Sequence, residues 1–151
     1  MIYTFLADGF EEIEALVPVD ILKRGGHDVK IVGVTGKIVK CARETAVICD
    51  LTLDECDFSD ASAVLLPGGP GTSSLDIPEI KNLVRDVLDS SGLVCAICAA
   101  PYLLGQWGFL DGKNAVCFPG YEQHLKNANF CDVPVCVDLP FITARGAGAA
   151  L

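Results

Sequence analysis

The sequence is short of the groups most metal sites use. Its two histidines, His27 and His124, lie far from any cysteine pair at zinc-finger spacing, so no metal is expected. Cations are scarce too: 11 Lys and Arg stand against 20 Asp and Glu, a net charge of −9. The basic residues form no stripe, which disfavours nucleic acid as a partner. No apolar run reaches the ~18 residues a membrane-spanning helix needs, so no membrane partner is expected. Met1-Ile2-Tyr3-Thr4-Phe5-Leu6 lacks the basic region and cleavage signature of a secretory leader and reads as a first strand. A cytoplasmic location is expected. Repeats, linkers and low-complexity tracts are absent.

Apolar residues, by contrast, make up 51% of the 151 residues, and charged ones only 21%. The length fits one domain with a real core. The balance suits a sheet covered on both faces, whose strands read as continuous apolar runs. There are eight cysteines. Cys49, Cys117 and Cys136 sit inside apolar stretches, where a free thiol acts as a small hydrophobe. Reduced thiols are expected in the absence of a leader.

Strand and helix patterns alternate, which predicts parallel βαβ units. Expected strands are Ile2–Leu6, His27–Val34, Ala63–Leu66, Leu93–Ile97, Ala115–Phe118, Val133–Asp138 and Phe141–Ala144. Short antiparallel strands fit between Lys37 and Leu53. A first helix is expected over Glu11–Arg24, with Ile13, Leu16, Val17 and Ile21 as its apolar stripe and a kink at Pro18. A second is expected over Ile77–Asp89, with Ile80, Leu83, Val84, Val87 and Leu88 buried and Asp76 with Glu79 as a capping box. A third is expected over Ala99–Trp107. Gly146–Leu151 reads as the first turn of another.

The segment Leu93-Val94-Cys95-Ala96-Ile97-Cys98-Ala99-Ala100-Pro101 carries the chemistry. A fully apolar strand runs into a cysteine followed by small residues. That pattern permits the tight strand–turn–helix of a nucleophile elbow. A cysteine there sits ahead of a helix N-terminus, where unpaired amides lower a thiol pKa. It also lies at the carboxyl end of a strand, where open α/β sheets bind ligands. Pro67-Gly68-Gly69 ends another strand, and its glycines let backbone amides approach a ligand oxygen. Cys95 and Cys98 form a C-x-x-C pair, but Cys95 lies within an apolar strand and reads as core filler rather than as half of a thioredoxin-like pair. Glu12 and Glu14 lie at similar angular distances from the helical stripe, and periodicity does not choose between them.

Several segments in order resemble the ThiJ/PfpI superfamily, in the branch of the parkinsonism-associated protein deglycase and its bacterial relatives. They are Asp8-Gly9-Phe10-Glu11-Glu12-Ile13-Glu14, Val17-Pro18-Val19-Asp20, Cys41-Ala42-Arg43, Leu65-Leu66-Pro67-Gly68-Gly69, Ala96-Ile97-Cys98-Ala99-Ala100-Pro101 and Thr143-Ala144-Arg145-Gly146. The resemblance implies a flavodoxin-like, doubly wound α/β sandwich with a mostly parallel sheet, and a homodimer. It makes Cys98 the elbow nucleophile and selects Glu14 as the carboxyl group bonded to its sulfur, with the proton on Glu14. It implies Gly68, Gly69 and Ala99 as backbone donors, and Arg43 as a residue near the site. Protease-like members have His where Ala99 stands, so a peptidase is not expected. His124 is the one candidate, by order, for a histidine that related members bring to the site, although its neighbours do not match their motif. The family continues for a further helix, which this single domain, 1–151, is expected to lack.

The implied activity needs no cofactor. It is a cysteine-dependent glyoxalase or deglycase reaction on small reactive carbonyl compounds or glycated groups, in stress protection. The alternative is a redox sensor or chaperone that uses Cys98 oxidation. A thiamine-thiazole role follows only from the superfamily's name.

Overall fold

The computed structural model describes all residues from Met1 to Leu151. Strand β1 (Ile2–Leu6) leads into helix α1 (Glu12–Arg24) and back to β2 (Val29–Gly33). A small antiparallel hairpin follows, β3 (Ile38–Lys40) and β4 (Ala46–Ile48), then β5 (Leu51–Thr52) and β6 (Ala63–Leu66). Helix α2 (Pro78–Asp89) precedes β7 (Leu93–Ile97), which turns sharply into the short helix α3 (Pro101–Gln106). Strands β8 (Asn114–Ala115) and β9 (Asn129–Phe130) pair beside the main sheet, which is completed by β10 (Val135–Asp138) and β11 (Phe141–Ala144).

The main sheet runs β10-β11-β7-β6-β1-β2-β5 and is parallel except for β10. This is the doubly wound, flavodoxin-like α/β arrangement. Successive residues of a strand point to opposite faces, and both faces are covered. Phe5 and Leu66 join a core cluster with Val84 of α2 and Leu103 and Leu104 of α3. Their neighbours Leu6 and Leu65 join a second cluster with Ala15 and Val19 of α1 and Val39 of the hairpin. Such two-sided burial is why these strands carry no polar alternation.

Helix α2 buries the expected residues Ile80, Leu83, Val84 and Val87. Helix α1 does not follow the expected stripe. It buries Glu14, Ala15 and Val19, while Ile13 and Ile21 remain 46% and 42% exposed. The helix lies on the sheet through its smallest residue, Ala15, and that close approach rotates Glu14 inward. Pro18 sits within the unbroken span of α1; it has no N–H to offer the preceding turn. The expected capping box of α2 is not formed. Ile77 takes the N-cap position with no side-chain cap, Pro78 opens the helix without an N–H, and the Asp76 carboxylate accepts instead from Trp107 Nε1 at 2.7 Å.

The stretch expected as a strand over Ala115–Phe118 pairs only through Ala115. Beyond it the amides serve other partners: Val116 N donates to Thr143 Oγ1 at 2.9 Å, and Phe118 N to Cys98 O at 2.7 Å. Ile2–Leu6, Ala63–Leu66, Leu93–Ile97 and Phe141–Ala144 form as expected, whereas the strands expected over His27–Val34 and Val133–Asp138 and the helix over Ala99–Trp107 are shortened to Val29–Gly33, Val135–Asp138 and Pro101–Gln106. Gly146–Leu151 forms a 3₁₀ turn at Ala147–Ala149. The structure therefore has only a single tight turn there.

Thr143 is 1% exposed and its hydroxyl is the partner of a buried amide. Thr143→Val should leave Val116 N unpaired and destabilise the fold by about 1–3 kcal/mol. Urea unfolding of the two proteins measures this.

Candidate active site

Cys98 follows directly on β7 and has φ +63°, a left-handed conformation that is rare for a residue with a Cβ. Two hydrogen bonds hold it. Cys98 N donates to Ala144 O of β11 at 2.9 Å, and Cys98 O accepts from Phe118 N. Ala100 N closes the turn on Ile97 O at 3.1 Å. The small residues Ala99 and Ala100 are buried and let α3 start within three residues of the strand. This is the geometry of a nucleophile elbow.

The loop after β6 lies directly beneath the cysteine. A Cβ on Gly68 would stand 2.6 Å from Cys98 Cβ, 2.7 Å from Glu14 Oε2 and 3.0 Å from Cys98 Sγ. No side chain fits there, which explains the glycine. Gly69 has φ +108°, and a Cβ on it would meet Gly9 O at 2.5 Å. The loop also anchors α1: Gly68 O accepts from Glu11 N at 2.9 Å, and the Glu11 side chain caps the helix by accepting from Glu14 N at 2.8 Å.

Glu14 is 1% exposed. Its Oε2 accepts from Gly68 N at 3.0 Å, and its carboxyl group also bonds the Cys98 thiol and the Ala147 amide. Glu12, which the sequence could not separate from Glu14, lies half-buried with no bond to Cys98. Burial pushes Glu14 up to about 6, and the Glu11 charge adds to this; the bonds from Cys98, Gly68 and Ala147 oppose it. Burial pushes Cys98 up to about 12, as do the charge and hydrogen bond of Glu14, against the amides of Ala99 and Gly69 that point at the sulfur.

The lowered thiol pKa expected from the sequence is therefore not found. Helix α3 has six residues and starts three positions beyond Cys98; burial of the sulfur first, and the Glu14 charge after it, outweigh the Ala99 and Gly69 amides. Burial raises the proton affinity of both groups, and each is a cause of the other's shift, so the pair shares its titration.

Of the expected backbone donors, Gly69 and Ala99 face the sulfur, whereas Gly68 N serves Glu14. Arg43 is exposed in the turn of the β3–β4 hairpin; its amide donates to Cys41 Sγ at 3.3 Å and its guanidinium has no ion pair. The exposed His124 ring stands 6.0 Å from both the Tyr102 and the Tyr121 ring centroids and makes no bond to Cys98 or Glu14. No cluster of three or more His, Cys, Asp or Glu converges as metal ligands.

A cavity of about 320 Å³ opens beside this centre, lined by Phe118, Pro119, Pro134, Arg145 and Gly146 among others. It borders Glu14 at Gly146, where a Cβ would lie 3.8 Å from Glu14 Oε1. Sequence reasoning gave no role to Phe118 or Ala147, because both contacts join segments distant along the chain and use backbone amides that any residue type supplies.

The DJ-1/PfpI family model matches residues 1–151. The chain belongs to the DJ-1/PfpI family. It is 35% identical to the Drosophila melanogaster protein dj-1beta over 151 residues, covering 96% of this chain and 80% of that protein. It is 32% identical to the Caenorhabditis elegans glutathione-independent glyoxalase DJR-1.2, covering 93% of this chain and 76% of that one. The crystal structure of a DJ-1 superfamily protein from Salmonella typhimurium superimposes with a TM-score of 0.92 at 32% identity, covering 99% of this chain and 83% of the other.

Two outcomes follow from this geometry. Gly68→Ala should push Cys98 away from Glu14 and slow alkylation-sensitive chemistry at Cys98, because the added carbon overlaps both side chains; thiol alkylation followed by peptide mapping reads the change. Glu14 binds its proton more tightly folded, at about 6 against an ordinary 4.5. Its contribution to stability is therefore complete below the ordinary value and lost as pH rises through about 6. The loss is on the order of 2 kcal/mol. Relative to Glu14→Gln, the wild type should lose stability between about pH 4.5 and about pH 6.5 in urea titrations, where the shifted proton affinity acts.

Proposed function

We propose that the protein is a cofactor-free, cysteine-dependent enzyme that converts small reactive aldehydes such as methylglyoxal, or their early glycation adducts, in the manner of a glyoxalase or deglycase. The observation that carries this reading is the half-buried Cys98 beside the buried Glu14, with two backbone amides aimed at the sulfur. A thiol with its own base adds to a carbonyl without a metal.

The steps follow from the proton inventory. The Cys98 sulfur forms a bond to the aldehyde carbon while its proton passes to the Glu14 carboxylate. The carbonyl oxygen gains the negative charge, near the Gly69 and Ala99 amides, and takes the proton from Glu14 to give a hemithioacetal. Glu14 then removes the hydrogen from the former aldehyde carbon. The electron pair moves into an enediolate, the hydroxyl proton on the former aldehyde carbon passes to the neighbouring oxygen, and Glu14 returns its proton to the neighbouring carbon, leaving a lactoyl thioester on Cys98. Water cleaves the thioester to lactate and the free thiol. The substrate is both oxidised and reduced internally, so no external redox partner is needed.

The protein is further proposed to work in the cytoplasm, in protection against carbonyl stress; all eight cysteines are free, as a reducing compartment maintains. A homodimer is proposed because α1 and the β3–β4 hairpin expose Ile13, Ile21, Ile38 and Ile48, apolar surface of the kind that a partner covers.

Lactate formation from methylglyoxal should be abolished in Cys98→Ser. It should fall roughly 10²–10⁴-fold in Glu14→Gln, which keeps the shape but cannot shuttle a proton. Glu12→Gln should retain the wild-type rate. Because Glu14 must be ionised to accept the thiol proton, the rate should decline as pH falls below about 6. Wild-type turnover in Cys98→Ser, or a pH profile flat through that region, would refute the assignment.

A further inference from the structure

Two cysteines outside the Cys98–Glu14 centre converge in space. Cys131 follows β9, and Cys136 lies in β10. Cys136 pairs across the sheet with Thr143 of β11. Thr143 Oγ1 accepts from Val116 N at 2.9 Å, and the adjacent Ala115 O accepts from Cys131 N at 2.8 Å. These contacts seat both residues beside Ala115–Val116, and Val133 N closes a turn on Cys131 O at 3.0 Å between them. The Cys131 thiol donates to Asn129 O at 3.6 Å, and its sulfur is near enough to Cys136 to be, after burial, a cause of the raised Cys136 pKa. Both thiols are free, Cys131 half-buried and Cys136 only 8% exposed. The four residues between them are all exposed.

The loop they bracket forms one rim of the cavity beside Cys98. Pro134 lines that cavity together with Arg145. Asp132 is ion-paired with Arg145, and Pro134 O accepts from Arg145 N at 2.9 Å. A covalent link between residues 131 and 136 would therefore restrain the wall of the cavity without touching Cys98 or Glu14.

We propose that Cys131 and Cys136 form a peroxide-sensitive dithiol that closes reversibly into a disulfide at the rim of the active-site cavity. The accessible Cys131, as thiolate, attacks one oxygen of hydrogen peroxide; the O–O bond breaks, hydroxide leaves, and a sulfenic acid forms. The Cys136 sulfur then attacks the Cys131 sulfur, forming the S–S bond and expelling the hydroxyl group, which leaves as water with the thiol's proton. Two thiols are oxidised and one peroxide is reduced to two waters. The proposal stands apart from the aldehyde chemistry, since it requires neither Cys98 nor turnover.

The test is peptide mapping under non-reducing conditions after limiting hydrogen peroxide. Cleavage after Lys126 and Arg145 releases residues 127–145, which hold Cys131 and Cys136 and no other cysteine. That peptide should lose two hydrogens and resist alkylation, and dithiothreitol should restore it. The same change should occur in Cys98→Ser and be absent in Cys131→Ser, a substitution at the less buried of the two positions. Oxygen addition at Cys131 with Cys136 still alkylatable would overturn the proposal. So would a peptide that keeps its reduced mass while Cys98 gains oxygen. A protein that forms the disulfide but makes no lactate would retain this proposal and lose only the aldehyde reading.

Discussion

The site depends on one residue held in a left-handed backbone conformation. A non-glycine residue at φ +63° costs on the order of 1–3 kcal/mol and persists only where its surroundings fix it. Here β11 fixes Cys98 N and the stretch after β8 fixes Cys98 O. Both supports come from the last third of the chain. The elbow is thus local in sequence and non-local in cause: Ala99 and Ala100 permit the turn, and β11 with Phe118 enforces it.

The second constraint is the buried carboxylate. Placing Glu14 inside the fold costs free energy, which its bonds to Gly68, Ala147 and Cys98 only partly offset, as its pKa of about 6 records. After burial, the same carboxylate is a cause of the raised Cys98 thiol pKa. Burial and coupling thus turn an ordinary first-turn glutamate into a base poised near neutral pH, where proton transfer is most useful. Gly68 makes this possible by having no side chain where the sulfur and the carboxylate meet.

Much of the architecture was legible in the sequence. The apolar runs Ile2–Leu6, Ala63–Leu66 and Leu93–Ile97 marked the central strands, because strands buried on both faces have no reason to alternate. Helix α2 followed its stripe because one face meets the sheet and the other meets water. Helix α1 did not, because its facing was decided by where Ala15 allows close packing and by the position of the Gly68 loop. Asp76 appeared to cap α2 until Trp107, distant along the chain, took its carboxylate. Boundaries such as the loss of pairing beyond Ala115 followed from competing acceptors, Thr143 Oγ1 and Cys98 O.

For the site, the run of small residues around Cys98 revealed the elbow, since few other residues fit a strand turning into a helix so abruptly. Family resemblance, not periodicity, selected Glu14 over Glu12. The tertiary structure then placed Glu14 against the sulfur, raised the proton affinity of both groups and brought Ala147 to the carboxylate. Each of these rests on contacts between segments far apart in sequence. The sequence determined the strands, the elbow and the small residues that leave room for a reactive pair, because those follow from local sterics and burial. Only the packed fold decided which groups share a proton and with what affinity, because desolvation and hydrogen bonding depend on what the rest of the chain brings to the same few ångströms.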